Sequence, residues 1–165
     1  MKALMSNAFA FAFAFAFVAG TAHAADATVS GYYRAEGKES KLTFARVAGA
    51  KNYAGDPTIA LAFTEKDASD AKDVSSDAIA FSHKYGSAIT MTIVKNSEGA
   101  YEVDESAFHH TGSDKAGGNA GGVLFLKDVS VANGTLSGEV YTKPDTDMFG
   151  AKIDVDLKFK APMPK

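Results

Sequence analysis

The feature that most constrains this chain is the run Ala151-Lys152-Ile153-Asp154-Val155-Asp156-Leu157-Lys158-Phe159-Lys160. Ile153, Val155, Leu157 and Phe159 alternate with five charged residues, a period of two that fits a strand with one face on a core and one in water. Wound as a helix, the same residues would scatter the apolar positions around the cylinder, so a strand is required. The rest of the chain can then be read as strands that supply the other side of that core.

The N-terminal residues fall outside this scheme. Met1-Lys2 is a short positive start, and residues 8–18 are an apolar Phe/Ala run too short for a comfortable membrane span. Ala22-His23-Ala24 supplies a small-x-small cleavage site, which predicts a signal peptide over residues 1–24 and a mature chain from Ala25. The Phe/Ala alternation also has the period of a buried strand, but its length and flanks favour the leader. No cysteine follows it to carry a lipid, and no later stretch is apolar enough to span a bilayer as a helix.

Residues 25–165 are one domain's worth of chain. They hold 16 basic and 20 acidic residues, since only Lys2 leaves with the leader, and the resulting −4 charge argues against a nucleic-acid partner. The absence of cysteine removes both disulfides and thiol chemistry, and the absence of Trp removes the commonest aromatic platform for sugars.

Taken in order, Thr28 to Ala35 reads as a strand, Glu36-Gly37-Lys38 as a turn, and Lys41 to Ala48 as a second strand. Gly49 to Asp56 reads as a loop before a strand from Thr58 to Thr64. Alternation then lapses, and Ser76 with Asp77 predicts the start of a short helix running to about Tyr85. Strands resume from Ile89 to Val94 and from Ala100 to Phe108, around the turn Asn96-Ser97-Glu98-Gly99. The five glycines between Thr111 and Gly122 predict a mobile loop. Asn133-Gly134 is the strongest hairpin signal, joining strands Val123 to Val131 and Leu136 to Thr142, before a loop from Lys143 to Gly150. About eight strands joined by hairpins, with one short helix, predict an all-β antiparallel sandwich, with a small closed barrel as the alternative.

Chemistry-bearing residues are few. His83, His109 and His110, with Met148 or a carboxylate, are the candidates for a transition-metal ion, although adjacent strand residues point to opposite faces. Asp67, Asp70, Asp73 and Asp77, and Asp145 and Asp147 near Asp154 and Asp156, lack a calcium-loop pattern and read as solvated faces. No nucleophile or metalloprotease motif occurs, and no phosphate loop is formed by Gly112 to Gly118. Glu102, Asp104 and Glu105 could supply an acid/base pair, but Glu102 and Asp104 share the polar face of a strand and read as a solvent face. Tyr32, Tyr33, Tyr53, Tyr101 and Tyr141 could line a binding patch or serve strand packing.

Gly31-Tyr32-Tyr33 with Gly37-Lys38 and Leu42, together with the ending Ile153 to Pro162, resembles small, uncharacterised exported β domains of Gram-negative bacteria. The resemblance covers the two ends of the mature chain and implies no catalytic or binding residue. The leading expectation is an exported, non-catalytic binding or interaction module, periplasmic or secreted, with no cofactor. Its partner would be a protein or small ligand of the cell envelope, met through contact loops that carry Tyr53, Asp114, Lys115, Asn119, Asp145 and Asp147. The alternatives are a periplasmic metal-binding protein using His83 with His109 or His110, and a hydrolase with a carboxylate pair.

Overall fold

The C-terminal alternation becomes the longest strand of the fold. The structure, a computed structural model, describes residues 27–52 and 54–164. The signal-peptide expectation for residues 1–24, and Tyr53 among the contact candidates, lie outside the described residues.

The described residues form eleven strands: β1 (Thr28–Ala35), β2 (Lys38–Ser40), β3 (Phe44–Lys51), β4 (Pro57–Thr64), β5 (Ala88–Lys95), β6 (Tyr101–His110), β7 (Ser113–Ala120), β8 (Phe125–Ala132), β9 (Thr135–Tyr141), β10 (Asp147–Met148) and β11 (Ala151–Pro162). One sheet has the order β2-β1-β11-β9-β8, with β10 paired to β11; the other is the meander β3-β4-β5-β6-β7. Every pairing is antiparallel. We call them sheet A and sheet B. The protein is all-β and sandwich-like, and its two sheets do not close into a barrel.

The two apolar faces meet in one core. Val155, Leu157 and Phe159 of β11 join Tyr33 and Ala35 of β1 against Leu61 and Phe63 of β4, Ile89 and Met91 of β5, and Phe108 of β6. Phe63 and Phe159 meet across the sandwich edge to face, with ring centroids 5.3 Å apart. Two-residue turns with both φ values positive close the tight hairpins: Glu36-Gly37 between β1 and β2, and Asn133-Gly134 between β8 and β9.

Sheet B has a second covered face, and this is where the sequence reading fails. Residues 65–87 run over its outer side, burying Ala68, Val74, Ile79, Ala80 and Tyr85 against Ala60, Ala62, Ala88 and Ala107. The alanines let an irregular chain approach the sheet closely, and Arg46 fastens it by donating to the carbonyls of Ala68 (2.6 Å) and Ala71 (3.0 Å).

The helix expected from Ser76 to Tyr85 is absent; the described residues contain turns there and no helix. Small polar side chains close local turns ahead of this stretch, and the cap made by Ser75 is not followed by a continuous helical ladder. Asp67 accepts from the Ser69 amide (2.8 Å), Asp73 from the Ser75 amide (2.9 Å), and Ser75 Oγ from the Ala78 amide (3.2 Å). Two isolated turns close, Ile79 N to Ser75 O at 3.1 Å and Phe81 N to Ser76 O at 2.9 Å, and His83 follows at φ +57°.

The predicted mobile loop from Thr111 to Gly122 is also corrected. Its residues 113–120 are the edge strand β7, paired with β6 through Ala107↔Asn119, Phe108↔Gly118 and His109↔Gly117. Pairing to a neighbour overrides the weak strand propensity of glycine. Of the expected strand from Lys41 to Ala48, only residues 44–48 are strand, as the start of β3; residues 41–43 cross from β2 in one sheet to β3 in the other, with Leu42 buried at the crossing.

Candidate functional site

The charged face of β11 is the floor of the site. Strand register carries the outer face of sheet A across four strands: Tyr32 of β1 lies opposite Asp156 of β11, Asp156 opposite Tyr141 of β9, and Tyr141 opposite Phe125 of β8. Residues in register on one face are neighbours, so four residues far apart in sequence form one row. The next row is ionic. Ser30, Lys158, Glu139 and Lys127 stand in register, and Glu139 accepts from Lys158 at 2.9 Å with Lys127 3.6 Å away. The Lys158 hydrogen bond, then the Lys127 charge, hold the Glu139 carboxyl below its ordinary range.

Above this floor, the loop between β9 and β10 and the start of β11 wall a groove of about 710 Å³. Its walls include Arg34, Glu139, Lys143 and Asp154. Arg34 lies over the Tyr32 ring at 3.8 Å and reaches Asp154 at 3.6 Å, while its other end is bound to Glu39 at 2.8 Å. Tyr32 donates to Asp154 Oδ1 at 3.3 Å; its partial burial, then the nearby Asp154 and Asp156 charges, raise the phenol above its ordinary value. Phe125 and Tyr141 are tilted against each other at 5.7 Å, and the Lys143 ammonium sits 4.4 Å from the Phe125 centroid. Asp156 makes no hydrogen bond or ion pair with another described residue, leaving a free carboxylate between two tyrosines.

The sequence-predicted site residues fall elsewhere, with one exception. Asp145 lines the groove and pairs with Lys152 at 3.5 Å, whereas Asp147 caps the turn of β10 by accepting from the Gly150 amide. Asp114 and Lys115 are exposed on β7, and Asn119 borders a smaller cavity of about 320 Å³ beside the covering segment of sheet B. Glu102 accepts from Asn96 Nδ2 at 2.6 Å in the β5–β6 hairpin, and Asp104 stands at a break in register between Glu105 and Val103.

The histidines divide by strand parity. His109 faces outward and stacks on His83 of the covering segment, centroids 4.0 Å apart and planes 10° apart. Lone pairs lie in the ring plane, so two parallel stacked rings do not aim nitrogens at a common point. His110 points inward, its ring edge-on to Tyr33 at 4.8 Å, and Met148 is packed in the core. Among the described residues no group of three or more His, Asp or Glu side chains is arranged to hold a metal ion.

His110 has a consequence for stability. Its Nδ1 accepts from the Gly112 amide at 3.0 Å, which fixes the neutral form with the proton on Nε2, an atom buried without a partner. Burial lowers the pKa of His110, and burial followed by the His83 charge lowers that of His109. A histidine with a depressed folded value contributes full stability above its unfolded value, near 6.5, and loses it as pH falls through that value. The melting temperature should therefore fall between pH 7.5 and pH 5, by about 2–4 °C per kcal/mol lost. His110→Phe should flatten that slope; an unchanged slope would remove His110 from the account.

No protein-family model matches the chain, and no curated protein and no solved structure matches it at the significance required.

Proposed function

We propose that the protein is an exported, non-catalytic binding module whose ligand or envelope partner docks on the outer face of sheet A. Export is supported by the leader-like run at residues 8–18 and the Ala22-His23-Ala24 site behind it. The observation that carries the binding reading is the row Tyr32–Asp156–Tyr141–Phe125. It places Tyr32, Tyr141 and an unpaired carboxylate in the lining of a groove of ligand size, with Phe125 on the edge strand packed beside Tyr141. A solvated face needs only charges, and these aromatics gain little there from core packing. The groove, more than the tips of the loops, is thus the contact surface, with Asp145 shared between the two.

The test is amide chemical-shift mapping with glucose, glycine, acetate and methylammonium as probes. Shifts should cluster at residues 32–34, 139–143 and 152–156. Shifts confined to other surfaces, or none with any probe, would overturn the proposal.

A second reading, transition-metal binding, draws on the proximity of His83 and His109 and requires their rings to leave the stacked arrangement. Zinc or copper(II) should then shift both imidazoles together at stoichiometric metal; independent, weak shifts would dismiss it.

A further inference from the structure

The charge inventory of the groove narrows the ligand. Four cationic and four acidic side chains line it, so it presents no net charge. Six of the eight are mutually compensated: Arg34 with Asp154 at 3.6 Å, Lys152 with Asp145 at 3.5 Å, and Lys127 with Glu139 at 3.6 Å. Lys143, resting on the Phe125 ring, and Asp156, between Tyr32 and Tyr141, have no partner of opposite charge among the described residues. A polyanion would meet Asp154 and Asp156, and a polycation would meet Arg34 and Lys143. A wholly apolar ligand would strand both free charges away from water.

What fits is a neutral molecule with an apolar face for the Tyr141 ring and an edge that both donates and accepts hydrogen bonds. A pyranose ring has that construction. Its axial C–H groups form a flat apolar face, and its equatorial hydroxyls can donate to Asp156 while ring and hydroxyl oxygens accept from Lys143 and Arg34. The lined part of the row, Tyr32 to Tyr141, spans two strand spacings, about 10 Å at ~4.8 Å each, which suits linked sugar units better than a single one. Resting on the groove being the binding site, we propose that its ligand is a neutral oligosaccharide, with Tyr141 as the stacking ring, Arg34 held on Tyr32 as a hydrogen-bond donor, and Asp156 as the hydroxyl acceptor.

The experiment is a calorimetric titration of the protein, expressed as the full chain and recovered as the cell processes it, with the neutral hexasaccharides of β-linked glucose and of β-linked N-acetylglucosamine. Amide-shift mapping is run alongside. At least one hexasaccharide should bind at the groove, with an affinity that changes less than about twofold between low and high salt. Tyr141→Ala should weaken binding about tenfold or more. The near-isosteric Asp156→Asn, which cannot disturb packing on this exposed position, should weaken it measurably while leaving the melting temperature unchanged.

If glycine, acetate or methylammonium shifts the groove amides and neither hexasaccharide does, the oligosaccharide assignment falls and the binding site stands. If no probe shifts them, both fall. A steep loss of affinity with salt, or full affinity in both variants, also overturns the assignment.

Discussion

Replacing Gly31 with alanine is expected to cost at least about 3 kcal/mol of folding stability, a loss reserved for strained backbone sites and severe steric conflict. Gly31 sits in β1 opposite Leu157 with φ +114°, outside the regions L-residues readily adopt. A Cβ built there would lie 1.9 Å from the Asp156 carbonyl oxygen and 2.9 Å from its carbon. Both atoms are backbone, in the middle of the strand that organises sheet A, so no side-chain rotation relieves the contact.

The residues affected belong to the proposed binding face. Tyr32 follows Gly31, and Asp156 is its partner in the row. Gly37 supplies the comparison, because its φ is +75° but a Cβ there meets nothing within 4 Å. Gly37→Ala should cost about 1–2 kcal/mol, the left-handed penalty alone. Urea denaturation of the two variants checks this. A Gly31→Ala loss no larger than that of Gly37→Ala would mean that β1 does not approach β11 as described.

The second large effect is expected at Phe63. Its ring is fully buried and packs edge to face on Phe159 of the opposite sheet, so it belongs to both halves of the sandwich. Phe63→Ala should destabilise by about 3–5 kcal/mol, combining lost transfer energy with the cavity left behind. Phe44, the first residue of β3 and paired with Thr64, faces outward and is 40% exposed. Phe44→Ala should change stability by no more than about 0.5 kcal/mol. Equal losses at the two positions would show that the faces of sheet B are assigned the wrong way round.

These expectations divide along the line between what the chain states locally and what it does not. The alternation of β11 and the positive-φ turn at Asn133-Gly134 are written in adjacent residues, and both appear where the sequence places them. The parity argument for His109 and His110 likewise places one ring outside and one inside. The helix expected from Ser76 to Tyr85 rests on the apolar spacing of Ala78, Ile79 and Phe81, whereas Ile79 and Ala80 are buried as part of an irregular segment against the alanines of sheet B. The glycines of β7 look like a loop until β6 is known to need an edge partner.

The groove was the least legible feature. Tyr32, Phe125, Tyr141 and Asp156 are separated by up to 124 positions and meet only through the order β1-β11-β9-β8. That order cannot be read from hairpins, since β1–β11 joins strands from opposite ends of the domain and β11–β9 skips β10. One signal was present: tyrosines at outward parity, Tyr32 beside an inward Tyr33, on strands whose other outward residues are charged or small.

The most direct test of the binding face is therefore its register, read from cross-strand nuclear Overhauser effects between backbone protons. The account predicts contacts pairing Tyr32 with Asp156, Asp156 with Tyr141, and Tyr141 with Phe125. A slip of one residue, pairing Tyr33 with Asp156, would turn Tyr32 into the core and dissolve the row, and with it the proposed site.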